Sequence, residues 1–121
     1  MDWSAYIDET NAQLAQLRPA MPETAAGFSQ LAKAAGKAGA LDAKTKELIA
    51  LAIGIDARCD GCLAFHAKAL VRLGATRDEV VETVAMAVYM GGGPSMMYGA
   101  RALEAFDQIS GHAQAGARAA E

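Results

Sequence analysis

Four residues between Glu47 and His66 have the types and spacing to do chemistry. The only two cysteines of the chain stand as Cys59-Asp60-Gly61-Cys62, and His66 follows four residues later. Residues three and four apart share a helix face, so both sulfurs and the imidazole fall on one stripe. Cys59 lies at or just before the first turn of its helix. Unpaired N–H groups and the positive end of the helix dipole stabilise a thiolate there. A nearby imidazolium acidifies a thiol further, and Cys-X-X-Cys thiols in such places are often strongly acidified. The thiolate is the nucleophile, so the pattern predicts a reactive dithiol. Asp60-Gly61 lets the chain bring both sulfurs within bonding distance. Glu47 opens the apolar run that leads in. A carboxylate beside buried apolar residues can exchange protons near neutrality. If its helix packs antiparallel to the cysteine helix, Glu47 reaches His66 or the thiols, directly or through water.

The same residues have competing readings. Cys59, Cys62 and His66, with Glu47 or His112 as a fourth ligand, are chemically acceptable for zinc. Three ligands on one helix fit a tetrahedron poorly, and the chain has no second cysteine pair. No metal is therefore expected. Two buried, inert cysteines would not need a histidine at this spacing. Arg58, beside Cys59, would favour its thiolate. Arg101 reads as a surface or interface charge, and His112 has no assigned role.

These side chains must be positioned by a small domain. At 121 residues the chain fits one compact unit. It is 53% hydrophobic against 21% charged, with only 6% aromatic, and much of the apolar content is alanine. Alanine-rich apolar sequence favours closely packed helices. The apolar surplus also predicts burial between subunits, in a homo-oligomer. A net charge of −3 gives no electrostatic reason for nucleic-acid binding. The first twenty residues carry Asp2, Asp8 and Glu9 and no basic stretch, so they do not read as a signal peptide. The apolar run Leu48 to Ile55 is too short to span a bilayer. A cytoplasmic protein is expected, where a close cysteine pair is catalytic or metal-binding rather than a structural staple.

Apolar spacing at Trp3, Ile7, Leu14 and Leu17 predicts a first helix over residues 1 to 17, ended by Pro19 and Pro22. A second runs from Pro22 through Phe28 and Leu31 to about Ala35. Asp42 caps a third, Ala43 to about Ala57, whose second half is apolar almost all round and so reads as buried. The cysteine helix spans Cys59 to Leu73, stopped by Gly74. Thr76 and Glu79 form a capping box for a fifth helix through Tyr89. Gly91-Gly92-Gly93 is a flexible break, and Pro94 opens a sixth helix over about Ser95 to Ile109. Met86, Met90, Met96 and Met97, with Tyr89 and Tyr98, read as core or subunit-interface packing. No segment has the alternation of a strand. The chain is thus expected to be all-α, one domain over residues 1–109 with a flexible tail at 110–121.

Glu47, Cys59, Cys62 and His66 together reproduce a Glu-x11-Cys-x2-Cys-x3-His signature. In this the chain resembles the alkyl hydroperoxidase D-like proteins of the carboxymuconolactone decarboxylase superfamily. The similarity continues through Gly74-Ala75-Thr76, Glu79-Val80 and Gly91-Gly92-Gly93-Pro94, and covers roughly residues 20 to 109. The resemblance implies an all-α bundle of about six helices in the short single-domain branch, assembled as a hexamer rather than a trimer. It implies a thiol-dependent peroxidase that needs no bound cofactor and draws electrons from an external thiol or lipoyl donor. Carried over by position, Cys62 attacks a hydroperoxide and becomes a sulfenic acid. Cys59, expected to be the more exposed, resolves it as a disulfide, while Glu47 and His66 relay protons. The well-characterised peroxidase branch has a histidine just before its second cysteine, and this chain has Gly61 there. Two alternatives follow from the same resemblance: a thiol–disulfide oxidoreductase acting on lipoyl or protein disulfides, and a redox-sensing scaffold. The decarboxylase branch lacks the cysteine pair, which argues against decarboxylation.

Overall fold

The computed structural model describes residues 1–120, with side chains as far as Gly111. Among the described residues the chain forms six α-helices and no strand: α1 (Trp3–Ala20), α2 (Pro22–Gly36), α3 (Ala43–Asp56), α4 (Asp60–Arg72), α5 (Arg77–Gly91) and α6 (Gly93–Ala120). The starts are set by side-chain caps. Asp2, Asp42 and Thr76 each accept a hydrogen bond from a backbone N–H in the first turn of the helix they precede. At α5 the capping box is complete, because Glu79 reaches back to the Thr76 N–H at 2.8 Å. Gly74 ends α4 with φ at +77°, the left-handed conformation glycine adopts without a Cβ penalty.

Helices α3 and α6 pack against each other at the centre, and each also packs against both α4 and α5. Helix α1 lies on α4 and α6, and α2 touches only α1 and α3. The core is Trp3 from α1, Leu51 and Ile55 from α3, Leu63 and Leu70 from α4, Val80 from α5 and Phe106 from α6. Each of these large side chains contributes about 1.5–3 kcal/mol by leaving water. Between them sit Ala64, Ala67, Ala87, Ala102 and Ala105, small enough to let helix axes approach closely. Gly99 does the same without a side chain: a Cβ there would lie 2.5 Å from Val84 Cγ1, so α5 and α6 meet at its bare backbone.

Several boundaries and burials differ from expectation. Helix α1 continues through Pro19 to Ala20: Pro19 withholds one N–H from the ladder one residue before the end, and the Met21 N–H closes the helix on the Arg18 carbonyl. Pro22 then opens α2 at its first position, where no N–H is needed. Of the three glycines 91–93 only Gly92 lies outside a helix. Helix α6 continues past Ile109 to Ala120, through an alanine-rich sequence of high helix propensity where a flexible tail was expected. The side chains from His112 onward, including His112 itself, lie outside the described residues. Helix α3 is not buried all round: Ile49 and Ile53, one turn apart, are 44% and 64% exposed. Met86, Met90, Met96, Met97 and Tyr89 are also exposed, so the core half of their expected role does not hold in the single chain.

Candidate active site

The turn between α3 and α4 places the dithiol. Arg58 adopts φ of +56°, and its N–H bonds to the Ile55 carbonyl at 3.1 Å. The next N–H, that of Cys59, reaches back to the Gly54 carbonyl at 3.1 Å. These two bonds are the Schellman pattern of a helix C-terminus, with arginine where glycine is usual. The chain leaves it with Cys59 extended as the N-cap of α4, and the Cys59 sulfur accepts the Cys62 N–H at 3.1 Å. Cys59 and Cys62 form a disulfide across a Cα–Cα separation of 5.2 Å. Both cysteines are half-buried.

Glu47 and His66 come together as well. The His66 ring Nδ1 and Glu47 Oε2 are 2.6 Å apart, and both side chains are partly open to solvent. Gly54 supplies the second point of contact between these helices. A Cβ on it would lie 2.9 Å from Cys62 Cβ, so the α3 backbone runs directly against the disulfide. Going down α3 from Gly54 to Glu47 means going up α4 from Cys62 to His66, so the two helices are antiparallel. That is the condition Glu47 needed. The carboxylate–imidazole pair therefore stands one turn, about 6 Å of helix rise, beyond Cys62. With its proton on Nδ1, the imidazole donates to Glu47 and keeps Nε2 as a free base. The constellation can hold a dithiol, exchange a proton beside it, and cycle to a disulfide.

Other elements brace this turn. Asp60, the residue after Cys59, pairs with Arg101 of α6 through Nε–Oδ1 at 3.0 Å and Nη2–Oδ2 at 2.9 Å. Arg101 is thus not a free surface charge, and the hydrogen bond to Asp60 raises its pKa above the ordinary value. Asp56, the last residue of α3, accepts the hydroxyl of buried Ser95 at 2.5 Å. Tyr6 of α1 brings its hydroxyl to 3.8 Å from where a Cβ on Gly61 would sit. None of these partners was identified from sequence. Arg101 is 41 residues from Asp60, and no local spacing reports such a pair. Gly54 had a signal: a glycine inside an apolar helix costs about 1 kcal/mol against alanine, and close backbone approach is a common reason to keep it.

The carboxymuconolactone decarboxylase family model matches residues 22–105, which include all four residues of the constellation. The chain belongs to the carboxymuconolactone decarboxylase family. An uncharacterized protein of Cupriavidus necator is 38% identical over 109 residues, 90% of this chain and 96% of its own. A family member from Legionella pneumophila, solved in its apo form, is 56% identical and superposes with a TM-score of 0.87 over 89% of this chain and 96% of that one. A Thermotoga maritima family member with a suggested part in the antioxidative response is 27% identical, with a TM-score of 0.82 over 92% of this chain and 95% of that one. The six-helix all-α fold is thus the fold of the family, and in this chain it carries the Cys59–Cys62 pair. No described helix is long and apolar enough to cross a membrane.

Proposed function

We propose that this protein is a thiol-dependent peroxidase that reduces small hydroperoxides through the Cys59–Cys62 pair. The observation that carries the reading is the Glu47–His66 pair at 2.6 Å, one turn along α4 from the disulfide. In the first step the Cys62 thiolate attacks one peroxide oxygen. The O–O bond breaks, Cys62 becomes a sulfenic acid, and the alkoxide takes a proton from the Glu47–His66 relay. In the second step the Cys59 sulfur attacks Cys62, its proton passes to the relay, and hydroxide leaves to be protonated to water. The two thiols give two electrons to the peroxide and become the disulfide, and the peroxide becomes an alcohol and water. An external dithiol such as a dihydrolipoyl group then reduces the disulfide, attacking Cys59 and releasing Cys62, and is itself oxidised to its disulfide. Cys59 is the sulfur that accepts the Cys62 N–H, a bond that favours its thiolate when it attacks Cys62 in the second step. No bound cofactor takes part. The proposed setting is the cytoplasm, and the proposed assembly is a homo-oligomer, a hexamer rather than a trimer.

The antioxidative role suggested for the Thermotoga relative supports this reading. The test is stopped-flow consumption of cumene hydroperoxide by the reduced protein. One peroxide should disappear for each pair of thiols lost, and Cys62→Ser should abolish the fast phase. Consumption by Cys62→Ser at the wild-type rate would overturn the mechanism. Gly61 between the cysteines favours a second reading, a thiol–disulfide oxidoreductase of lipoyl or protein disulfides. Rapid reduction by dihydrolipoamide with negligible peroxide turnover would select it.

A further inference from the structure

Asp60 stands between the two cysteines as the first residue of α4. A carboxylate suits that end of the helix dipole. Its negative charge also falls within the same turn as two thiols that must ionise to react, one residue after Cys59 and two before Cys62, and like charges oppose that ionisation. Arg101 meets this charge with a fork of two hydrogen bonds, at 3.0 and 2.9 Å. The guanidinium is itself held. It lies over the rings of Trp3 and Tyr98, 5.4 and 5.9 Å from their centroids. Trp3 is fully buried and fixed to α6 at both of its N–H groups, by Gln108 at 2.9 Å and Glu104 at 2.7 Å. Arg101 therefore reaches Asp60 from a preset cradle, and a flexible point charge such as lysine, without the planar fork, would not be equivalent.

The other charged or titratable groups around this turn are accounted for. Glu47 of α3 is taken by His66 of α4, and Asp56 of α3 by Ser95 of α6. Glu104 of α6 is taken by Trp3 and the N-terminus, which leaves Tyr6 on α1 and Arg58 in the turn itself. Asp60 and Arg101 are the pair built into the dithiol segment.

We infer that Arg101 is a positioning residue of the dithiol, cancelling the charge of Asp60 so that Cys59 and Cys62 ionise near neutral pH. The inference rests on the dithiol being the reactive centre. It adds a residue from α6 to a site otherwise made by α3 and α4. It does not depend on peroxide being the substrate.

The experiment is the rate of iodoacetamide alkylation of the fully reduced protein against pH, with circular dichroism to check the fold. Arg101→Gln leaves Asp60 unmatched. Its profile should move to higher pH, with alkylation at pH 7 slowed about three- to tenfold for a half-exposed charge this near in sequence. Asp60→Asn leaves the cation unmatched and should move the profile to lower pH. The double variant Asp60→Asn/Arg101→Gln should return close to wild type, and Arg101→Lys should lie between wild type and Arg101→Gln. Loss of a merely structural clamp would move both single variants in the same direction, and the double variant would not recover. That result, or an Arg101→Gln profile superimposed on wild type, overturns the inference. Should Arg101→Gln not fold, Asp60→Asn decides alone, since an unmoved or upward-moved profile overturns it. Alkylation consumes no peroxide. A wild-type protein inert to peroxide but showing these opposed shifts would remove the peroxidase reading and leave this one intact.

Discussion

A histidine four residues beyond a cysteine is only a helical neighbour until something fixes its ring. Here the fixing group is Glu47, which holds the His66 ring at 2.6 Å from another helix. In the proposed relay that carboxylate orients the ring and faces it with a negative charge when the ring accepts a thiol proton. Glu47→Gln separates the two roles, because the amide oxygen still accepts from Nδ1–H while the charge is gone. Peroxide turnover should fall about 100-fold with the helical content unchanged, read by stopped-flow and circular dichroism. Turnover within a factor of about two of wild type would remove Glu47 from the relay. Three of these four residues are legible in the sequence because they sit at helical spacing, and the fourth because a carboxylate opens an apolar run. Arg101 is not legible, since it meets Asp60 only through the packing of α6 on α4.

At the scale of elements, the contact that matters is α3 against α4, and two residues set it. Gly54 is the point of closest approach, with its missing Cβ 2.9 Å from Cys62 Cβ. Gly54→Ala gains about 1 kcal/mol of helix propensity but forces the two backbones apart at a cost of about 1–3 kcal/mol. The variant should melt a few degrees lower in the oxidised state, and its disulfide should form more slowly from the reduced protein. An unchanged melting temperature with an unchanged closure rate would mean that α3 does not press on the dithiol. Arg58 is the second. Its φ of +56° costs a side-chain-bearing residue roughly 1–2 kcal/mol that glycine avoids. Arg58→Gly should therefore raise the melting temperature, offset by the greater freedom glycine gives the unfolded chain. A lower melting temperature would show that the Arg58 side chain supplies more than the turn costs. The helix starts were readable because caps are local: Asp42, and Thr76 with Glu79, announce themselves within four residues. The ends were not. Pro19 is tolerated in a final turn, and nothing local marks where the alanine-rich end of α6 stops.

The whole molecule leaves a question that its own core does not answer. Helix α2 has no buried residue, and Phe28 and Leu31, three apart on one face, are 69% and 63% exposed. On α3, Ile49 and Ile53 form a second open stripe, and Tyr89 and Met90 at the end of α5 are 78% and 75% exposed. The sequence placed these side chains in apolar patterns but could not say whether one chain or several would cover them. Burial between copies produces the same periodicity as burial within one. An isolated fifteen-residue helix is marginal in water, so a helix that gives nothing to its own core needs a partner to hold it. The proposed homo-oligomer supplies one. Light scattering of the wild-type protein should then give a multiple of the 12.5 kDa chain mass, sixfold for the hexamer. Phe28→Gln/Leu31→Gln should shift it toward smaller species and make α2 the first site of limited proteolysis, since neither side chain supports the monomer core. If that variant keeps the wild-type mass, the α2 face is not a contact between copies. If the wild type scatters as a single chain, the oligomer itself falls, and the reactivity of the dithiol must be explained by one subunit alone.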